Sequence, residues 1–545
     1  MKSTFLIVFV FFTFGYISIC AQPQSIHLNS LGFLPDQSKK ASITGQTKSV
    51  VVKQVSDQKV VFQGKLSEPV FQKDVNQMVT IADFSGLTQQ GNYYLETAEG
   101  IKSTVFEVSR RVYNQAFYTS MRAFYLWRCG TPVEGSHNGH HFAHEACHLD
   151  DGFEDYQNKP GAKRNGIGGW HDAGDYGKYV TNAGITVGMM FMAWDQFGEK
   201  LKKISLDLPE TAKGYPDFLK ELKWETDWLL TMPYTDGSGK VSHKLTAKNF
   251  ESFCKPEDDK QKRYFTDWSS DAVANFVATM AQAARHFEPY DKIYSQKCLA
   301  AAKLSYQFLK ENPEEKRFVQ GEFKTGGYQS GDKDDRIWAA AEMWETTGDT
   351  AYLKDFEVQA KAMNFEIDED WDWGDVSNLG MFQYVLSRKS GKNPEILEAI
   401  RKNIVEGANS IVKNAHADVY GRPLKRYYWG CNGTVARQVL NLQIANRIAP
   451  DPAFTATSLD AIAHIFGRNY YNRSYVTGLG INPAMNPHDR RSGSDQETEP
   501  WPGYIVGGGH SATGWFDKEE DYRTNEIAIN WQGALVFALA GFISQ

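Results

Sequence analysis

From Ser25 to about Val108, apolar and polar positions alternate over short runs. Ser49–Val55, Lys59–Gln63, Met78–Phe84, Gly91–Glu96 and Ser103–Val108 each carry β-branched or aromatic residues, and Gly45, Asp57-Gln58, Gly91-Asn92 and Glu99-Gly100 separate them. Short strands at close intervals predict an all-β sandwich of immunoglobulin-like type. No Cys or Trp lies in the stretch, so the inter-sheet disulfide of antibody domains is absent and spacing alone carries the prediction. At Arg110 the apolar period lengthens to that of a helix, as in Val273, Phe276, Val277, Met280, Ala284 and Phe287. Twelve helical stretches follow, at 111–129, 175–197, 215–230, 271–287, 291–309, 335–347, 351–363, 376–387, 394–413, 433–448, 452–470 and 526–542. They fit six helical hairpins in a ring, an (α/α)6 barrel whose loops build a cleft at one end; a solenoid is the other arrangement, but no fixed repeat is present. The predicted organisation is residues 22–109 as the sandwich and 110–545 as the helical domain.

Residues 1–21 stand apart. Met1-Lys2, the apolar run Phe5–Ile19 and Cys20-Ala21 read as a secretory signal peptide cleaved near Ala21, with Cys20 as a lipid-bearing cysteine the other reading. The run is too short to span a membrane comfortably, and no later stretch is apolar enough to do so. An exported protein, secreted or held at the periplasm or outer surface, is expected. A net charge of -7 argues against nucleic acid or an anionic membrane as partner, whereas 14 Trp and 26 Tyr suit neutral ligands with apolar faces, such as sugars. Five cysteines remain after Ala21, an odd number that excludes a disulfide scaffold.

Chemistry concentrates in Gly168-Gly-Trp-His-Asp-Ala-Gly-Asp-Tyr-Gly-Lys-Tyr179, where Asp172 and Asp175 sit three apart in a glycine-rich turn. The turn is expected to run straight into a helix, putting both carboxylates on its first turn, where they polarise a water or cap the helix. A second acidic segment, Asp517–Glu526, leads into the last helix with Glu526 at its start, among Trp515, Tyr522 and Trp531. Apolar neighbours raise a carboxyl's pKa, as a proton donor needs, and glycosidic cleavage requires one such acid with a carboxylate across the sugar ring. The loop Ser474–Ser492 adds His488 and Arg490, groups that donate hydrogen bonds to sugar hydroxyls. Trp268, Trp371, Trp373, Tyr427, Tyr428 and Trp429 fall at loops or helix ends as candidate sugar platforms; Trp194, Trp224, Trp338 and Trp344 fall inside helices as core. Cys129, Cys147, His148 and His171 suit a tetrahedral zinc, with a Cys129–Cys147 disulfide as the alternative.

Three of these motifs together resemble glycoside hydrolase family 9, over Arg110 to the end. Trp170-His-Asp-Ala-Gly-Asp175 resembles the family's base motif, implying Asp175 as catalytic base and Asp172 as its partner in holding water. Gly480-Ile-Asn482 with Pro487-His488-Asp-Arg490 is similar to its histidine signature, implying sugar contacts from His488 and Arg490. Phe516-Asp517, Tyr522 and Glu526-Ile-Ala528 resemble its acid signature, implying Glu526 as proton donor and Asp517 as a supporting carboxylate. The front, with Asn29-Ser-Leu-Gly-Phe33-Leu-Pro35, resembles the immunoglobulin-like module of one branch of the family. That branch implies a structural zinc at Cys129, Cys147, His148 and His171; many members also bind calcium, for which no site is assignable. The resemblance implies a monomeric, inverting endo-β-1,4-glucanase acting on cellulose or a related β-glucan, with the carboxyls of Asp175 and Glu526 about 6.5–9.5 Å apart. An exo-acting glucosidase or glucosaminidase, or a non-catalytic carbohydrate-binding protein, are the other readings. One departure stands in the last helix: Gln532-Gly533 replaces the family's Asn and small residue, which puts a local hydrogen bond in question.

Overall fold

The structure, a computed structural model, describes residues 24–211 and 214–544. The expected signal peptide and Cys20 lie outside the described residues. The front of the chain folds into two antiparallel sheets. One contains β1 (Ile26–His27), β2 (Lys40–Thr44), β7 (Gln77–Asp83), β5 (Lys65–Leu66) and β6 (Val70–Gln72); the other contains β4 (Val60–Gln63), β3 (Val50–Gln54), β8 (Gly91–Thr97) and β9 (Phe106–Val108). Ala41 and Ile43 from the first sheet meet Val50, Val52, Tyr93 and Leu95 from the second. In this core Phe33, Phe84 and Phe106 pack together with ring centroids 5.0–5.4 Å apart. The predicted strands are β3, β4, β7, β8 and β9; β1, β2, β5 and β6 are additional, all of five residues or fewer, too short to show a period.

The helices are α1 (Asn114–Leu126), α2 (Val180–Leu201), α3 (Asp217–Leu229), α4 (Ser270–Phe287), α5 (Lys292–Glu311), α6 (Lys333–Thr347), α7 (Thr350–Ala362), α8 (Ser377–Leu386), α9 (Pro394–Ala417), α10 (Cys431–Ile448), α11 (Pro452–Ile465), the single turn α12 (Tyr522–Asn525) and α13 (Ile529–Ala540). Each predicted stretch overlaps one of the twelve long helices among the described residues, and several helices run a few residues past it, as α2 does to Leu201 and α9 to Ala417. Local chemistry sets several ends: Asp291, Asn393 and Asp451 accept backbone N–H groups as N-caps, the latter two before a proline at the first helical position. The almost wholly buried helices α2, α4, α6 and α8 pack in succession, and α10 packs on α13, which returns against α2; α5, α7, α9 and α11 each pair with one of them and keep a polar outer face.

Three expectations are corrected. The helix after the Asp172 turn begins at Val180, because Lys178 and Tyr179 pair as a short strand with Lys244–Ala247; Asp172 and Asp175 therefore lie in loop, not on a helical turn. Glu526 is likewise extended, three residues ahead of α13. The region beyond Arg110 is not purely helical either: Val133–His137 pairs with His140–His144, and Lys244–Ala247 pairs with Arg263–Phe265. Among the described residues, no helix is long and apolar enough to cross a membrane.

The sandwich is fastened to the helical part near α11. Asp460 pairs with Arg468 at 2.6 Å and with Lys40 at 2.8 Å, Arg468 Nε donates to Ser42, and Ser42 Oγ donates to the Val419 carbonyl. Arg468 and Asp460 are both buried. Removing one member of a buried pair strands the other's charge, so Asp460→Ala should cost about 3–5 kcal/mol and lower the thermal unfolding midpoint, read by calorimetry.

Candidate active site

Three consecutive carbonyls anchor the loop that carries Asp172. The Asp172 oxygen accepts the Ile529 N–H at 2.9 Å, the Ala173 oxygen accepts the Trp127 indole N–H at 3.1 Å, and the Gly174 oxygen accepts both the backbone N–H of Arg490 at 3.1 Å and its guanidinium at 2.9 Å. His488 donates its backbone N–H to Asn525, and Glu526 accepts the N–H of Gly507. The segments around residues 173, 488 and 526 thus run side by side, with bridges Ala173–Ala528 and His488–Glu526. Gly174 permits this approach: a Cβ there would overlap the His488 carbonyl oxygen.

These contacts bring Asp172, Asp175, Glu526, His488 and Arg490 to the wall of one cavity of about 730 Å³. Asp175 Oδ2 accepts hydrogen bonds from the Gly177 N–H and the Tyr179 hydroxyl, both at 3.0 Å. Asp172 accepts from Asn182 at 2.7 Å and from the Tyr328 hydroxyl at 2.5 Å. Burial, and next the neighbouring Asp175, hold the Asp172 carboxyl well above the usual carboxylate range, against the pull of those two donors. Burial first, then Asp175 and Asp172, raise Glu526 well above its ordinary value, while Arg490 and a hydrogen bond with Trp429 oppose the rise. The result is a half-buried acid whose protonated form is favoured beside an aspartate pair.

The His488 Nδ1–H donates to the Glu519 carbonyl at 2.6 Å, leaving Nε2 for the cavity, and burial lowers its pKa. Arg490 is held by Glu251 at 2.8 Å as well as by Gly174, so it braces the Asp172 loop as it lines the cavity. Asp517 does not line the cavity. Its carboxylate accepts the backbone N–H groups of Met485 and Asn486, the Asn525 amide and Arg473, which makes it a support for the residues just before Glu526.

Of the candidate aromatic platforms, Trp373, Tyr428 and Trp429 line the cavity. Trp268 lies outside it, packed on Phe308 and under Lys316, and Trp371 is buried with its indole N–H on Asn441. Tyr427 packs against Arg422, also outside. Trp531 and Tyr522, expected beside Glu526, line the cavity, whereas Tyr179, Phe250 and Tyr328 line it without having been singled out in the sequence as sugar contacts. Tyr179 sits seven residues after Asp172, and its proximity was a usable signal; the other two reach the cavity only through the fold. The Gln532 departure resolves without strain: Oε1 accepts the Ile505 N–H, and Nε2 donates to the Ser120 and Gly503 carbonyls.

Cys129, Cys147, His148 and His171 converge, their ligating atoms all within 4.8 Å of one another, and neither cysteine is in a disulfide. Cys129 Sγ lies 3.6 Å from His148 Nδ1, Cys147 Sγ lies 3.7 Å from His171 Nε2, and the two imidazole nitrogens are 3.4 Å apart. A tetrahedron with metal–N near 2.0–2.1 Å and metal–S near 2.3 Å has edges of about 3.3–3.8 Å, and these three separations fall within that range. His148 Nε2 points at the Asp259 carboxylate 3.2 Å away, the outer-shell partner a ligating imidazole usually has. Backbone bonds from Cys129 N to Gly169 O and from His171 N to Trp127 O tie the cluster to the Asp172 loop.

Residues 113–539 match the model of glycosyl hydrolase family 9, and residues 21–102 match that of the cellulase N-terminal ig-like domain. The chain belongs to glycoside hydrolase family 9. Endoglucanase D of Acetivibrio thermocellus is 52% identical over 523 residues, covering 95% of this chain and 83% of that protein. The crystal structure of a metagenome-derived family 9 endoglucanase superposes with a TM-score of 0.88 at 30% identity, covering 96% of this chain and 99% of that one. That of a Zn-binding triple mutant of the family 9 endoglucanase J30 does so with a TM-score of 0.88 at 28% identity, covering 94% and 99%.

Since the family 9 site is assembled through the approach at Gly174, Gly174→Ala should push the His488 segment off the Asp172 loop. The expected result is at least about a tenfold loss of kcat/KM with the far-UV circular dichroism unchanged, measured on a soluble β-glucan.

Proposed function

We propose that this glycoside hydrolase is an exported, inverting endo-β-1,4-glucanase built on an (α/α)6 barrel. The observation that carries the reading is that Asp172, Asp175 and Glu526, from opposite ends of the chain, line one cavity with Trp373, Tyr428 and Trp429. Glu526 protonates the glycosidic oxygen of a bound β-glucan, and Asp175 takes a proton from water attacking the anomeric carbon on the opposite face. Asp172 helps place that water; His488 Nε2 and Arg490 hold the sugar. The succession α2–α4–α6–α8 and the closure of α13 on α2 support the barrel. For export, support comes from the apolar run before Ala21 and from the module match that begins at residue 21.

Zinc is the ion this reading places between Cys129, Cys147, His148 and His171, because two thiolates and two imidazoles form the closed tetrahedral set it favours. When bound it serves as a structural ion. His171 precedes Asp172, and the four side chains fix the chain just ahead of the aspartate pair. Prolonged chelation should release about one zinc per chain, found by atomic emission, and lower the thermal midpoint; Cys129→Ser should reproduce both effects.

Asp175→Ala and Glu526→Ala should each lower kcat by about 10²–10⁴-fold with the fold intact, and wild-type activity in both would overturn the roles. Endo action is read by viscometry on a soluble β-glucan: viscosity should fall well before reducing ends accumulate. Glu526 donates only while protonated, so activity should persist below its raised pKa and fall as pH climbs through it; Glu526→Gln should abolish that alkaline limb.

A further inference from the structure

Lys244 opens the strand Lys244–Ala247 and is wholly buried. Its donors go to neutral oxygens: Gly326 O at 2.6 Å, Gln320 Oε1 at 2.9 Å and Thr325 Oγ1 at 3.4 Å. The ammonium also stands 5.0–5.7 Å from the ring centroids of Phe318, Phe323 and Tyr179. A buried cation held by neutral groups is expensive to keep, and Met or Gln would fill the space without that penalty. Its surroundings connect it to the reacting carboxyls. Gly326, whose carbonyl Lys244 holds, donates its N–H to the Tyr179 hydroxyl at 3.0 Å, and that hydroxyl donates to Asp175. Two residues on, Tyr328 donates to Asp172. The residue before Lys244 clamps the same loop, with His243 Nε2 2.8 Å from the Gly327 carbonyl.

We propose that Lys244 is a positioning residue for hydrolysis: through Gly326 and Tyr179 it orients the Asp175 carboxylate, and from the same loop it sets Tyr328 against Asp172. The role rests on Asp175 being the base. Burial lowers the Lys244 ammonium to about 7, and Asp175 is the charge that opposes the fall. The attraction between the two charges is mutual, and it is lost when the lysine is replaced by a neutral side chain. The other groups facing Asp175 are the carboxyls of Asp172, Glu526 and Glu251, the phenols of Tyr179 and Tyr328, and the His488 imidazole. Of these acids Asp175 is the one whose charge bears on Lys244, while Arg490 opposes the rise of Glu526 and Glu251.

The test compares Lys244→Met, Lys244→Arg and Tyr179→Phe with the wild-type full chain on a soluble β-glucan and on an aryl β-cellooligoside with an acidic phenol. For Lys244→Met the expected result is a kcat lower by at least about tenfold, KM within about twofold, and the acid limb of the kcat–pH profile moved to higher pH. The fractional loss should be equal on both substrates, since the defect lies on the base side; Glu526→Gln should lose less on the aryl substrate. Lys244→Arg should recover most of kcat and the original acid limb. A Lys244→Met kcat within about twofold of wild type, or a loss matched by a rise in KM with the acid limb unmoved, overturns the proposal. Should Lys244→Met fail to fold, Tyr179→Phe, which cuts the link and leaves the lysine, must show the same kcat-selective loss; wild-type kcat there overturns it equally. Asp175→Ala assayed alongside separates the failures, because activity in that variant removes the base assignment itself.

Discussion

The carbonyl oxygens of Asp172, Ala173 and Gly174 accept donors from the start of α13, the end of α1 and the loop at Arg490. Sequence separations of more than 300 residues are closed at the first and third of these contacts. Backbone hydrogen bonds of this kind fix position along two directions and tolerate little side-chain drift, which is what a constellation of acids drawn from distant segments requires. Glu526 is placed against the aspartates through the backbone: its strand-like segment runs beside His488, and the His488 segment runs beside Gly174.

Rigidity of this kind is matched by an unfavourable electrostatic choice. Asp172 and Asp175 are buried and Glu526 is half-buried, all three like-signed, so desolvation and mutual repulsion both oppose their ionisation together. The surroundings resolve the conflict asymmetrically. Asp175 has the Gly177 N–H, the Tyr179 hydroxyl and the more distant Lys244 cation on its side, whereas Glu526 has burial and two acids against its charge. One fold thereby prepares a base and an acid from the same functional group. The four-ligand cluster serves this indirectly, holding Cys129 and His171 across the short pairing that precedes Asp172.

Much of this was legible in the sequence, and what was not has identifiable causes. The long helices were visible because apolar positions recur along them at a helical period, and this holds even for α2 and α4, which the fold buries almost wholly. Of the strands that were not visible, β1, β5 and β6 have only two or three residues and so show no period. For the acids, identity was readable but setting was not. Asp172 and Asp175 looked like helix-start residues because apolar periodicity resumes at Tyr179, yet Lys178 and Tyr179 are claimed by a strand pairing with residues 65 or more positions later. Among the aromatics, Trp371 and Trp373 are neighbours in one loop that face opposite ways, one into the core and one into the cavity, and local sequence says nothing about which. Lys244 carried no signal, as a lone lysine in a polar stretch reads as surface.

The Gln532-Gly533 departure shows how support for the acid can survive a change in the residue providing it. Gln532 is buried in α13, and its amide spans from Ser120 in α1 to Gly503 and Ile505 in the neighbouring loop, using one acceptor and two donors. That loop continues through Val506, paired with Ile527, to Gly507, whose N–H binds the Glu526 carbonyl. A side chain longer by one methylene than asparagine reaches both walls, while Gly533 beside it lies against Thr186 and Met189, where a larger residue would push α13 off α2. The two positions are therefore coupled by geometry. The long amide fixes the loop beneath Glu526 while the missing side chain at Gly533 lets the helix bearing that amide sit close to α2, and both act on the acid's support without touching the cavity.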